Sequence, residues 1–168
     1  SNIIFTGGEP LLYQEKIISM VKEIEKVREG SITSYEIETN MALPLTNSFL
    51  VWLGLNKGKV QFNISPKLQY PKEFEIVLNN IENLHKNNIP FVIKFVDELT
   101  SESRDVIIDF IELISRYVKY DNIYLMPECR TREEHIARAE KTIEFCRLYH
   151  LNFSPRLHVL LWDNKKGV

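Results

Sequence analysis

Cysteine is scarce in this chain of 168 residues, with only 2, Cys129 and Cys146. Two thiols so far apart form neither a disulfide framework nor a cluster motif. A reducing, cytoplasmic setting is the expectation for such a chain. Long apolar runs are also missing. No stretch approaches the roughly 18 apolar residues of a membrane-spanning helix. No basic segment followed by an apolar one opens the chain, so no secretion signal is read from it. Charge of one sign is not in excess. The net charge is -2, which sets up no field to draw in nucleic acid or an anionic membrane. Phosphate loops, nucleophile elbows and zinc-ligand spacings are not found. What is present suits a globular fold, with 44% hydrophobic and 26% charged residues. The length is enough to bury a core. No repeat, low-complexity segment or linker divides the chain, so one domain over residues 1–168 is expected.

Strand and helix patterns alternate along the chain. Ile3 to Thr6 reads as a strand, and residues 11–27 as an amphipathic helix with Leu12, Ile17, Val21 and Ile24 apolar. Glu29-Gly30-Ser31 breaks it. Tyr35, Ile37 and Thr39 alternate with Glu36 and Glu38 as a second strand, and residues 46–55 form a short helix. Val60, Phe62 and Ile64 make a third strand; Phe74 to Leu84 a helix ended by Asn87-Asn88. Phe91 to Val96 is a nearly continuous apolar run, as in a strand buried on both faces. Residues 101–118 predict a helix with Val106, Phe110, Leu113, Ile114 and Tyr117 inward. Ile123 to Met126 is a fifth strand. Ile136, Ala139, Ile143, Cys146 and His150 mark the last long helix, and Leu151 to Phe153 a sixth strand. This alternation predicts an α/β fold with a parallel sheet. Thr6, Thr39, Ser65, Asp97 and Glu128 then fall at or just past strand ends, the rim where such folds bind ligands.

Thr6-Gly7-Gly8-Glu9-Pro10 stands out among these ends. Adjacent glycines let a ligand approach the backbone. The carboxylate of Glu9 can hold a cationic group. The same string also suits a plain strand-to-helix turn, with Glu9 and Pro10 at a helix start. Glu38-Thr39-Asn40 reads equally as a polar strand end. Ser65-Pro66-Lys67 offers a hydroxyl and a cation at a rigid strand exit, or an ordinary turn. Lys94 interrupts an apolar strand and must pair, snorkel or face a polar cavity. Cys146 lies on an apolar helix face as a small core residue. His158 lies in an apolar stretch, where a satisfied core histidine is the usual case.

In that order, on successive strand ends, Thr6-Gly7-Gly8-Glu9-Pro10, Glu38-Thr39-Asn40 and Ser65-Pro66-Lys67 resemble the radical S-adenosylmethionine superfamily. Within it the chain is similar to the 7-carboxy-7-deazaguanine synthase family. The stretch from Pro155 to Val168, with Leu157-His158, Leu160-Leu161-Trp162 and Lys166-Gly167-Val168, resembles the C-terminus of its longer members. The resemblance implies a partial parallel β/α barrel. It implies a [4Fe–4S] cluster, S-adenosylmethionine and magnesium as cofactors, and a reductant such as a flavodoxin. The implied reaction is the radical ring contraction of 6-carboxy-5,6,7,8-tetrahydropterin to 7-carboxy-7-deazaguanine, for queuosine-type bases. By motif, Gly8, Glu9, Ser65, Pro66 and Lys67 would bind S-adenosylmethionine, with Glu9 accepting from its amino group, and Glu128 is a further candidate. Thr6, His158 and the terminal carboxylate of Val168 would contact the pterin. Lys94, from the residue reading alone, is the candidate to face a substrate carboxylate.

The chain departs from that family in two places. Met41 stands where the family often has glycine. The cluster signature Cys-x-x-x-Cys-x-x-Cys, with its neighbouring magnesium ligand, is not found. The expectation is a protein lacking its N-terminal cluster segment and first strand, and inactive as it stands. The alternative expectation is a degenerate, non-catalytic relative that binds a nucleotide or a protein partner. An open sheet edge would favour self-association, and a homodimer is among the expected states.

Overall fold

The apolar alternations become strands and the 3.6-periodic segments between them become helices. The computed structural model describes residues 1–27, 33–68 and 71–165, except for the side chains of residues 71–73. The break expected at Glu29-Gly30-Ser31 lies outside the described residues, as does Val168. The strands are β1 (Asn2–Phe5), β2 (Ser34–Thr39), β3 (Val60–Ile64), β4 (Phe91–Asp97), β5 (Ile123–Pro127) and β6 (Asn152–Phe153). The helices are α1 (Gln14–Val27), α2 (Asn47–Leu55), α3 (Pro71–Lys86), α4 (Ser101–Ile114), α5 (Arg132–Tyr149) and α6 (Leu157–Trp162). A short 3-10 turn, Pro10–Tyr13, leads into α1. The strands form one 6-stranded sheet in the order β1-β2-β3-β4-β5-β6. It is all-parallel, and the fold is α/β as its alternation predicts. The chain falls into two compact units, Ser1–Val92 and Ile93–Val168.

In the first unit Phe5 is in register with Ile37, and Ile37 with Phe62. Tyr35, Ile37, Thr39, Val60, Phe62 and Ile64 share one face and are buried. Ile17 and Val21 of α1, Phe49 and Leu53 of α2, and Val77, Ile81 and Leu84 of α3 belong to the same core. The opposite sheet face is polar. The Glu36 carboxylate accepts from Asn2 Nδ2 at 3.4 Å, from Gln61 Nε2 at 3.0 Å and from Asn63 Nδ2. The buried amides of Asn80 and Gln14 are satisfied, as burial requires. Asn80 donates to Met41 O and Leu43 O and accepts from Leu45 N–H. Gln14 donates to Leu11 O and Pro44 O and accepts from Thr46 N–H. These two side chains hold the loop between β2 and α2.

In the second unit Ile93 and Phe95 of β4 and Ile123 and Leu125 of β5 are buried. Their alternates are not: Lys94, Tyr124 and Met126 are half-buried and Val96 is exposed. This corrects the expectation of a strand buried on both faces. An apolar run hides the alternation because Val96 is apolar but faces outward. On α4 the inward stripe is Ile107, Phe110, Ile111 and Ile114, while Val106 and Leu113 are exposed. The complete i, i+3, i+4, i+7 stripe prevails over the partial one. On α5 the buried residues are His135, Thr142, Phe145 and Cys146, and Ile136 and Ile143 face outward. That stripe contains two polar residues, so apolar spacing points to the wrong face. Thr131 opens α5 with a reciprocal capping box to Glu134. Among the described residues no helix is long and apolar enough to cross a membrane.

Candidate functional site

The exits of β1 and β2 are joined through one carboxylate. After Phe5, Gly7 and Gly8 adopt φ of +84° and +55°. A Cβ at either position would meet nothing within 4 Å. Backbone conformation, not lack of space, therefore calls for glycine here. Glu9 follows, half-buried, and caps the 3-10 turn: its Oε1 accepts from Leu11 N–H at 3.0 Å. Thr39 Oγ1 donates to the same oxygen at 2.5 Å. Asn40 N–H donates to Oε2 at 2.9 Å. The plain capping reading and the ligand reading of Glu9 thus meet in one side chain. It caps the turn, and among the described residues an acceptor position on Oε2 stays unused.

The neighbouring motif residues take distinct places. Thr6 is exposed, and its hydroxyl donates to Glu38 Oε2 at 2.7 Å. Met41 has φ of +63° and is fully buried. Glycine would adopt this left-handed conformation without strain. Ser65 N–H donates to Thr39 O at 2.8 Å, tying the exit of β3 to that of β2. Pro66 is buried, Ser65 half-buried and Lys67 exposed. The first unit therefore places Thr6, Gly8 and Glu9 just past β1 and Ser65, Pro66 and Lys67 just past β3, on either side of the β2 exit. Thr39 and Asn40, which hold the Glu9 carboxylate, are the residues that motif spacing undervalues. The available signal is a threonine in phase with Tyr35 and Ile37, whose buried hydroxyl must find a partner.

In the second unit the rim positions are less alike. Asp97 Oδ1 accepts from Leu99 N–H and from Ser103 Oγ, both at 2.5 Å, and so serves the start of α4. Glu128 is exposed just past β5, and its backbone carbonyl accepts from Arg138. Lys94 is half-buried, in register with Tyr124, and no partner for its ammonium is found among the described residues. His158 is exposed on α6, which corrects the expectation of a core histidine. The core histidine is His135, whose Nε2 accepts from Arg156 N–H at 3.1 Å. Burial pushes its pKa down, and the Arg156 charge adds to that.

The two cysteines do not suit an iron–sulfur cluster. Cluster ligands are thiolates within reach of one another. Cys129 and Cys146 are both buried. Burial raises the pKa of Cys129, and raises that of Cys146 to about 11, which favours the protonated thiol. Among the described residues no group of three or more His, Cys, Asp or Glu side chains is placed to hold a metal ion. The Glu9 turn, by contrast, offers what an amino acid ammonium group needs: a fixed carboxylate beside open backbone.

No protein-family profile matches the chain. A 7-carboxy-7-deazaguanine synthase from Pyrobaculum aerophilum is 23% identical over 166 residues, covering 99% of this chain and 67% of that protein. Among solved structures, hexahistidine-tagged anSMEcpe with bound AdoMet superposes with a TM-score of 0.62 at 16% identity, over 99% of this chain and 51% of that one. Native anSMEcpe with bound AdoMet and Kp18Cys peptide gives the same TM-score of 0.62 at 16% identity, over 99% of this chain and 54% of that one. The chain thus spans about half the length of these solved structures. At such identities the structural likeness is one of fold. The all-parallel α/β sheet is the fold shared with these solved structures, and over 99% of its length the chain is similar to a 7-carboxy-7-deazaguanine synthase.

Proposed function

We propose that the Gly7-Gly8-Glu9-Pro10 turn and the Ser65-Pro66-Lys67 exit bind S-adenosylmethionine. The wider function proposed is that of a 7-carboxy-7-deazaguanine synthase, a lyase acting on 6-carboxy-5,6,7,8-tetrahydropterin. The observation that carries the binding proposal is the Glu9 carboxylate, pinned among the described residues by three donors with one acceptor position unused. A charge-assisted bond from the ligand's ammonium group to that position would be among the stronger hydrogen bonds available. Gly7 and Gly8 leave the backbone open beside it. Ser65 and Lys67 lie at the third strand exit, where a hydroxyl and a cation suit ribose and carboxylate groups.

Lys94 is the proposed partner of a substrate carboxylate. A half-buried ammonium with no protein partner among the described residues favours an anion on a ligand. Thr6, Glu128, His158 and Val168 remain proposed contacts on the strength of their motifs. In the family a [4Fe–4S] cluster, when bound, supplies the radical that starts the reaction. Magnesium and a flavodoxin-type reductant belong to the same proposal. Cys129 and Cys146 are given no part in holding that cluster.

Two measurements test this reading. Equilibrium dialysis should show S-adenosylmethionine binding that Glu9→Gln weakens by at least about tenfold, the worth of a hydrogen bond to a charged group. Equal binding by both proteins would remove Glu9 from the site. Anaerobic reconstitution of the 168-residue chain with iron and sulfide should leave no stoichiometric cluster. A full complement of iron with a cluster absorbance band would overturn the assignment of the cysteines.

A further inference from the structure

The orientation of Glu9 depends on a neighbour that contacts no ligand in this reading. Thr39 closes β2 on the buried face and is 5% exposed. Its Oγ1 accepts from Met41 N–H at 2.9 Å. A hydroxyl carries one hydrogen, and an ionised carboxylate has none to give. The Thr39 hydrogen is therefore directed to Glu9 Oε1, at 2.5 Å. Leu11 N–H takes the other acceptor position of that oxygen at 3.0 Å. On Oε2, Asn40 N–H takes one position at 2.9 Å. A carboxylate offers about four acceptor positions, so one on Oε2 is left.

We propose that Thr39 is a positioning residue: its buried hydroxyl fixes the Glu9 carboxylate so that Oε2 meets the ammonium group of an amino-acid-bearing ligand. The inference rests on Glu9 binding S-adenosylmethionine as proposed above. Of the three donors, two are backbone N–H groups that no side-chain change removes. Thr39 supplies the remaining one. Without it Oε1 keeps a single partner, and the carboxylate can turn about its last bond. The ligand's ammonium then meets a less ordered acceptor, while its adenosine contacts are untouched.

The test compares S-adenosylmethionine with its analogue lacking the α-amino group, by equilibrium dialysis on Thr39→Val, Thr39→Ala, Thr39→Ser and Glu9→Gln. Thermal melts first establish that each variant is folded. Thr39→Val should weaken S-adenosylmethionine by about tenfold, the effect of one lost hydrogen bond to a charged group. Its affinity for the deaminated analogue should stay at the wild-type value. Thr39→Ser, which keeps the donor, should restore discrimination. Should Thr39→Val not fold, Thr39→Ala carries the same expectation. A folded Thr39→Val or Thr39→Ala variant that keeps wild-type discrimination, while Glu9→Gln loses it, overturns the role of Thr39 and spares that of Glu9. Equal weakening of both ligands also overturns it, since that is the mark of a merely structural residue. Wild-type protein that binds neither ligand, or Glu9→Gln that binds as wild type, overturns the Glu9 reading itself.

Discussion

At the scale of single residues, backbone conformation and side-chain burial compete in a way that two positions separate. Gly8 has φ of +55° with nothing within 4 Å of its missing Cβ. Gly8→Ala should therefore cost only the left-handed conformational penalty, about 1 kcal/mol. Urea unfolding of the variant measures it; a loss several times larger would mean that the turn cannot hold a side chain at all. Met41 is the converse case. It too is left-handed, with φ of +63°, but its side chain is fully buried. Met41→Gly relieves about 1 kcal/mol of strain. It also forfeits a buried methionine, and truncation of such a residue costs about 2–5 kcal/mol. A net loss of about 2 kcal/mol is expected. A stabilised Met41→Gly variant would show that the strain outweighs the packing. Replacing Met41 by glycine is thus expected to harm this chain, because the methionine side chain is fully buried in the core.

At the scale of elements, the loop between β2 and α2 hangs on Asn80 of α3. Asn80 is 2% exposed and bonds Met41 O, Leu43 O and Leu45 N–H. Asn80→Leu keeps the branched shape and strands these three backbone groups. A buried group left without its partner costs about 1–3 kcal/mol. The expected loss is about 3 kcal/mol in urea unfolding, with S-adenosylmethionine affinity reduced as well, since Met41 and Thr39 are joined to that loop. A loss below about 0.5 kcal/mol, the range of ordinary surface substitutions, would mean that water replaces Asn80. This side chain also marks where the sequence stopped being legible. Strand existence and the parallel α/β class were readable, because alternation in Tyr35, Ile37 and Thr39 and in Val60, Phe62 and Ile64 is unbroken. Helix faces were less so. On α5, His135 and Thr142 occupy the buried stripe, and their partners, Arg156 N–H and Arg138 O, are invisible to periodicity. The Glu9 turn was legible as a motif, but not the part of Thr39 in it, since that depends on β1 and β2 lying in register.

At the scale of the whole molecule, pH should act on stability through His135. Its ring is 3% exposed, and Nε2 must be unprotonated to accept from Arg156 N–H at 3.1 Å. Burial lowers its pKa below the ordinary histidine value, and the positive charge of Arg156 adds to the shift. The sign follows from proton linkage. Above the unfolded value of about 6.5 neither state binds the proton, and the full contribution is present. As pH falls below that value, the unfolded chain is protonated before the folded one, and stability declines. The decline ends once pH has passed the lowered folded value. Because the bond joins α5 to the residue that opens α6, the loss belongs to the cooperative unfolding of the second unit rather than to a fraying end. The urea midpoint should therefore drop as pH falls from about 7 through the unfolded histidine value of about 6.5 and below. His135→Gln, which can accept from Arg156 N–H through Oε1 without titrating, should lower the midpoint at pH 7 but flatten its slope across that window. His85, His150 and His158 are exposed and common to both proteins, so their contributions cancel in the comparison. Parallel slopes for wild type and His135→Gln would show that protonation of this ring is not what weakens the fold in acid.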